Sequence, residues 1–166
     1  MTYDAIKASI LLMLKIFNEK QPLTTNKILI EDISNTLYLV KHVLKRNIGN
    51  LADKYLDFRV DNISRLGLKS RDIVRIISNM INNRLIVKTD VGFQVAVKGL
   101  EILNNYQKTP LNEFLKDVET ILNYILENFS LGDIDKIAKD LYRGEVEKRE
   151  TAASAVTQKI LMEIKK

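Results

Sequence analysis

Apolar residues recur at helical spacing along most of the chain. Residues 3–18 are apolar on most of the helix circumference, and a helix of that kind needs a second surface to bury against. The pattern predicts further helical structure over 26–47, as one helix or as two that meet near 32–35. A short helix or irregular connector follows over 51–58. The N-terminal half therefore reads as predominantly helical.

Local residues predict where these elements begin and end. Pro22 disfavours helix before it, and Thr24 or Thr25 can cap the helix that follows. Gly49 ends that helix. Thr109-Pro110 marks the clearest boundary of the chain, because proline both stops one helix and starts another.

Helical spacing continues beyond this boundary. A helix of about five turns is predicted over 111–129, followed by a short helix over 134–141. A break at Arg143-Gly144 precedes a last helix over 145–166. A less favoured interpretation makes 133–166 a second helix-turn-helix, whose last helix exposes Thr151, Ser154, Thr157 and Gln158.

The segment from Arg59 to Leu103 is the most informative. It predicts a short helix, a tight turn at Gly67 and a second helix over 70–83, then a hairpin and a third helix. Leu66 and Leu68 flank the glycine and can pack the two helices together. Ser70 can cap the second helix. The inner face of that helix carries Ile73, Ile76, Ile77 and Met80.

The opposite face of helix 70–83 is polar. Its residues follow the spacing of a single stripe: Arg71, Arg75, Ser78, Asn79 and Asn82. Ser70, at the start of the helix, is a further candidate for contacting DNA. Arginine pairs with guanine or phosphate, and asparagine pairs with adenine. The stripe is therefore a candidate surface for reading the major groove of DNA. The alternative is an ordinary solvated helix face.

Alternating residues predict the hairpin that follows. Leu85 and Val87 in the first arm, and Phe93, Val95 and Val97 in the second, are expected to face inward. Gly92 suits the left-handed position of a short loop. Lys88, Thr89 and Gln94 are placed to contact DNA. Asp90 at the tip would repel phosphate, so a purely structural hairpin is an equal alternative.

Charge supports a polyanionic partner. The net charge is +5, and residues 59–88 contain seven basic residues against Asp61 and Asp72. The chain has no cysteine and a single histidine, His42, so thiolate chemistry is excluded and a metal site is not expected. No cofactor is expected, and no catalytic constellation stands out. The absence of a long apolar run or a basic leader favours a cytoplasmic protein without a membrane partner.

Residues 59–103 resemble the winged-helix superfamily of transcription regulators, in the broad style of its MarR and PadR groups. The matching parts are Leu66-Gly67-Leu68, the helix 70–83, Asn83-Arg84-Leu85-Ile86 and Val97-Lys98-Gly99-Leu100. The resemblance covers about a quarter of the chain. It implies sequence-selective binding of double-stranded DNA by a regulator of transcription, usually as a dimer through terminal helices.

The expectation is a mostly α protein with a winged helix-turn-helix core and C-terminal helices. Residues 1–107 would form the DNA-binding domain, and 108–166 an association element. The broad apolar faces of helices 3–18 and 111–129 would join across a two-fold axis in a homodimer. Arg65, Lys69 and Lys88 would hold phosphates. The alternative to a DNA reader is a winged-helix subunit that contacts protein in a replication, transcription or chromosome assembly.

Overall fold

One helix, α1 (Thr2–Lys20), runs through the centre of the molecule in the computed structural model, which describes residues 2–20, 27–90 and 92–166. Every apolar side chain between Ala5 and Phe17 is at most 6% exposed. Helices on several sides and the strand β4 (Gly92–Val95) pack around it. The second surface that the apolar pattern required is supplied by the same chain.

The described residues form eight helices and two antiparallel hairpins, so the fold is mostly α. The remaining elements are α2 (Ile30–Ile48), α3 (Leu51–Tyr55), β1 (Asn62–Ser64), β2 (Gly67–Lys69), α4 (Arg71–Asn82), β3 (Ile86–Thr89), α5 (Val97–Tyr106), α6 (Asn112–Asn128), α7 (Leu131–Glu147) and α8 (Ala152–Ile164).

Helix α2 is one continuous helix and begins later than the pattern predicted. Residues 27–29 are not helical, and the Asp32 carboxylate accepts a hydrogen bond from the backbone N–H of Leu29 at 2.8 Å, which satisfies an amide ahead of the helix. Gly49 ends α2 with φ +64°, as expected. The predicted break at Pro22 and cap at Thr24 or Thr25 lie outside the described residues.

The short helix predicted before Gly67 is wrong, because this segment forms the hairpin β1–β2. Asn62 pairs with Lys69, and Ser64 pairs with Gly67 across a two-residue loop. The Ser64 hydroxyl donates to the Gly67 carbonyl at 3.0 Å and accepts from the Leu66 N–H at 3.2 Å. Strand pairing and this serine bridge take the hydrogen bonds that a helix would have used.

Gly67 is required for a reason that lies far away in the sequence. Its φ is +142°, and a β-carbon there would stand 2.5 Å from the side-chain amide nitrogen of Asn35 in α2. Asn35 is fully buried, and its side-chain oxygen accepts from the Leu68 N–H at 2.9 Å. The glycine therefore lets β2 approach α2 closely, where the sequence predicted a turn between two helices.

The C-terminal helices differ from the prediction in their boundaries. Helix α6 matches the predicted segment, but α7 runs through the expected break at Arg143-Gly144. Lys148, with φ +55°, ends α7 instead. Gly144 serves close packing, because a β-carbon there would lie 2.7 Å from the Thr151 side chain. The chain thus reverses after Lys148, five residues later than the predicted break begins.

These helices fold back onto the N-terminal part of their own chain. Helix α6 packs on α1, and α7 and α8 pack on α2. A single hydrophobic core extends from Ala5 to Leu161 and includes buried residues on both sides of the connection at 107–111. The two apolar faces expected to join across a two-fold axis therefore bury each other within one molecule.

The face of α8 that a second helix-turn-helix would have exposed is partly covered. Thr157 is 1% exposed, and its hydroxyl accepts a hydrogen bond of 2.6 Å from the Arg46 guanidinium of α2. The same guanidinium donates to the Ser154 carbonyl at 2.9 Å. This face is thus an internal contact between α8 and α2.

Across the described ranges, no helix combines the length and the apolar character that crossing a bilayer requires.

Gly67→Ala is expected to destabilise the protein by about 1–3 kcal/mol, because the new methyl group meets Asn35 and the backbone keeps a positive φ. The matched control is Gly132→Ala in α7, where the nearest atom to a β-carbon is 3.7 Å away. The control should change stability by less than about 1 kcal/mol. Chemical denaturation measures both, and equal stabilities would contradict the assigned packing.

Candidate nucleic-acid interface

Helix α4 has one face in the core and one in solvent. Ile73, Ile76, Ile77 and Met80 are at most 4% exposed and face α1, α2 and β3, as the sequence predicted. The Ser70 hydroxyl accepts from the Ile73 N–H at 3.3 Å and caps the helix. The apolar face and the cap thus fix the direction in which the polar face points.

The polar stripe of α4 is open to solvent along its whole length. Its five members are all exposed, and the C-terminal helices do not cover them. Among the described residues, none of these side chains makes a recorded hydrogen bond or ion pair. They are Arg71, Arg75, Ser78, Asn79 and Asn82. The donors and acceptors of this stripe are therefore available to a partner.

Ser70 does not belong to that stripe. It is 2% exposed, and its hydroxyl is used by the cap, so its predicted role in contacting DNA is not supported by its position. Val74 is the exposed residue that the sequence reasoning missed. It lies between Arg71 and Arg75 on the same side and is 45% exposed. Its position three residues after Arg71 was the signal that could have identified it.

The two acidic residues beside α4 are bound to backbone amides. The Asp61 carboxylate accepts from the Arg71 N–H at 2.8 Å, and the Asp72 carboxylate accepts from the Arg59 N–H at 2.8 Å. Asp61 also lies 3.9 Å from the Arg59 guanidinium. Both carboxylates thus fix the chain entering α4 and leave the side chains of Arg71 and Arg75 without an acidic partner.

The predicted phosphate contacts Arg65 and Lys69 lie at opposite ends of the hairpin β1–β2. Lys69 is exposed at the base, two residues before Arg71, and Arg65 is exposed in the loop at the tip. Arg65 and Lys69 are four positions apart along an extended chain, which separates them by roughly 13 Å. Only Lys69 adjoins the polar stripe of α4 along the chain.

The hairpin β3–β4 is present, but its faces differ from the prediction. Val87 is 49% exposed and stands opposite Gln94, whereas Lys88 stands opposite the buried Phe93. The inward position predicted for Val87 is therefore wrong, since Leu85 precedes the strand and Ile86 enters the core. Lys88 and Gln94 consequently project from opposite faces of the hairpin.

The end of this hairpin follows the sequence prediction in part. Gly92 has φ +120°, and a β-carbon there would lie 2.7 Å from the Ile28 carbonyl oxygen. Thr89, half-buried, donates from its hydroxyl to the Gly92 carbonyl at 3.1 Å, so it helps to close the loop. Asp90 is exposed, and Val91 lies outside the described residues.

Arg84 is a second residue that the sequence reasoning did not single out. It follows the C-terminal end of α4 in the left-handed conformation, with φ +60°, and its side chain is exposed. Such a conformation costs a non-glycine residue about 1 kcal/mol or more. It turns the chain from α4 into β3 and adds a positive charge at the far end of the stripe.

A polar network under the hairpin β1–β2 links it to α7. The Asn35 amide donates to Asp135 at 3.2 Å, and Lys139 forms an ion pair of 3.1 Å with Asp135. The Lys139 ammonium also donates to the Arg65 carbonyl at 3.1 Å. The C-terminal segment therefore holds the hairpin that precedes α4, although it does not cover α4.

Asp32 lies in the same region. Burial and, to a smaller extent, the nearby carboxylates of Glu31 and Asp135 raise its pKa to about 6, against the hydrogen bond from Leu29 that lowers it. The charged form of Asp32 is therefore less stable in the folded protein than in the unfolded chain.

No three histidine, aspartate or glutamate side chains come together to hold a metal ion in the part of the chain that the structure describes. Comparison of the chain with protein-family models, with curated proteins and with solved structures finds no match. The site must therefore be interpreted from its own geometry.

Asp32→Asn is expected to raise the melting temperature at pH 7, and the gain should shrink as the pH falls below 6 and vanish below about 4. The reason is that the pKa of Asp32 in the folded protein exceeds the ordinary value of 3.8. The contribution of Asp32 to the stability of the unmodified protein is therefore greatest below pH 4, where Asp32 is neutral, and it is lost as the pH rises through 6 and the buried carboxyl ionises, whereas asparagine stays neutral throughout. An asparagine oxygen can still accept from Leu29.

The matched control is Asp133→Asn. Asp133 occupies the same capping position at the start of α7, where it accepts from the Ser130 N–H at 3.2 Å, but it is exposed. It should give no such gain at pH 7. Thermal unfolding from pH 4 to 8 provides the comparison. If the difference in melting temperature between Asp32→Asn and the unmodified protein does not change with pH, the raised pKa of Asp32 is ruled out as its cause.

Proposed function

We propose that the protein binds double-stranded DNA through the exposed stripe of α4, as a regulator of transcription. The observation that carries this proposal is the open row of two arginines and two asparagines without carboxylate partners. From Arg71 to Asn82 the row is about 16 Å long, which matches nearly five base pairs. The major groove, about 12 Å wide, admits a single helix.

The side chains have distinct roles in this proposal. Arg71 and Arg75 donate to guanine edges, and Asn79 and Asn82 pair with adenine, since both pairings are bidentate. Ser78 contacts a base edge or a phosphate. The exposed methyl groups of Val74 suit the methyl group of thymine. Lys69 contacts phosphate beside the start of the helix, and Arg65 and Lys88 reach the backbone farther out.

The arrangement around α4 supports a winged-helix interpretation. The helix is followed directly by a hairpin and then by α5, and α2 packs behind it. The element that supports α4 is therefore α2, separated from it in sequence by α3 and the hairpin β1–β2. The exposed stripe itself contains no aromatic residue, and stacking platforms for unpaired bases need exposed aromatic rings, which favours duplex DNA over a single strand as the partner.

The expected dimer needs a different surface from the one that the sequence indicated. The apolar faces of α1 and α6 are used inside the chain. We therefore propose that one molecule provides one recognition helix. Two half-sites would be read only if two molecules associate through a surface other than these helices.

Arg75→Ala is expected to weaken binding to a duplex selected from a random pool by about 1–3 kcal/mol, because a bidentate contact to a base or phosphate is lost. The control is Arg143→Ala, which removes an exposed arginine from α7, outside the stripe. Fluorescence anisotropy with a labelled duplex measures both. The assignment of Arg75 fails if both variants bind like the unmodified protein.

Lys69→Ala is expected to weaken binding to all duplexes alike and to reduce the slope of log affinity against log salt by about 1, because one phosphate contact is lost. Lys159→Ala, which removes an exposed lysine from α8, should leave the slope unchanged. The same salt titration on random duplex DNA separates the two proposed classes of protein. A subunit that contacts only protein would show almost no binding at low salt.

A further inference from the structure

A cavity of about 370 Å³ opens beside the start of α4. It lies between the first turns of α2, the base of the hairpin β1–β2 and the first turn of α4. Its apolar wall includes the buried Leu68 and the exposed Val74, and its polar rim includes Lys69, Arg71 and Arg75. This volume lies in the range of cavities that hold small organic molecules.

Ser34, at the back of this cavity, has an unusual hydrogen-bonding state. It is 1% exposed, and its hydroxyl has no hydrogen-bond partner in the part of the protein described. Two other buried hydroxyls in helices donate to the carbonyl four residues earlier: Ser9 to Ala5 at 2.7 Å and Thr36 to Asp32 at 2.8 Å. Ser34 does not, and its side chain lines the cavity instead.

The charge around the cavity favours an anion. Lys69, Arg71 and Arg75 have side chains with no recorded ion pair or hydrogen bond among the described residues. The lining carboxylate of Asp61 is bound to the Arg71 N–H. Glu31 is the other lining carboxylate, so three unpaired cations face one carboxylate that accepts no recorded hydrogen bond from the described residues.

We propose that this cavity binds a small organic anion with an apolar body and a second polar group, such as an aliphatic hydroxycarboxylate. The carboxylate binds the side chains of Arg71, Arg75 and Lys69, the apolar part lies on Leu68 and Val74, and a polar atom of the ligand bonds the Ser34 hydroxyl. The ligand thereby satisfies a buried hydroxyl that the protein leaves unpartnered.

Such a ligand would regulate DNA binding, and this part of the proposal rests on the proposed function. Arg71 and Arg75 line the cavity and also belong to the stripe that would contact DNA. A guanidinium that holds a carboxylate in the cavity presents fewer donors to a base edge. Binding of the anion and binding of DNA are therefore mutually antagonistic, each weakening the other by the same factor.

The binding step is tested without DNA. Hexanoate is titrated into the ¹⁵N-labelled full chain, and hexylammonium of the same length but opposite charge is the control ligand. Hexanoate should shift the amide signals of Ser34, Leu68 and Val74 to saturation, and hexylammonium should not. Equal effects of the two ions, or shifts spread over the whole surface, overturn the proposed site.

Two pairs of variants test the contacts. Ser34→Ala should weaken the binding of 6-hydroxyhexanoate, whose hydroxyl can reach the back of the cavity, about threefold to tenfold, since a buried hydrogen bond is lost. Ser9→Ala, an equally buried serine outside the cavity, should not weaken it. Val74→Asp places a carboxylate at the cavity and should abolish hexanoate binding. Val146→Asp, at an exposed position of α7, should not. Equal affinity of the two variants within either pair, for 6-hydroxyhexanoate in the serine pair and for hexanoate in the valine pair, overturns the site.

The regulatory step is tested with the selected duplex at constant ionic strength. Hexanoate at ten times its dissociation constant should weaken DNA binding about tenfold, and an equal concentration of hexylammonium should not. Unchanged DNA affinity at saturating hexanoate overturns the antagonism. If no duplex binds at all, the proposed function fails, whereas the titration without DNA still decides the anion site.

Discussion

The enclosure of α1 is the constraint on which the rest of the fold depends. A helix that is apolar on most of its circumference must be surrounded, and α6 supplies the wall that the N-terminal elements lack. The apolar face of α6 is therefore buried inside the molecule. Helices α7 and α8 pack on α2, away from the outer face of α4. The exposed polar stripe is therefore a consequence of how the central helix is covered.

Features set by local sequence were predictable, and features set by distant residues were not. The two faces of α4 and its Ser70 cap follow from spacing within fourteen residues. A helix was predicted where the hairpin β1–β2 lies, because the deciding partner, Asn35, belongs to α2 and is distant in the sequence. The break after α7 was misplaced for a similar reason, since Gly144 serves a contact with Thr151.

The candidate site was predictable in its charges and less so in its surroundings. Spacing identified Arg71, Arg75, Ser78, Asn79 and Asn82, and the structure leaves all five exposed. Spacing along the sequence could not reveal that Asp61 and Asp72 are bound to backbone amides, or that Lys88 and Gln94 lie on opposite faces of their hairpin. Those facts depend on strand register and on hydrogen bonds between segments, which a one-dimensional pattern does not encode.

The pairing of α1 with α6 has a consequence for biosynthesis. The residues of α6 are translated about 100 positions after α1, which takes on the order of 5–20 seconds at ordinary elongation rates. During that interval the central helix of the protein has left the ribosome without the α6 side of its covering. Newly made chains should then depend on chaperones that shield nascent apolar segments, and a ribosome stalled before residue 112 would release a species prone to aggregate.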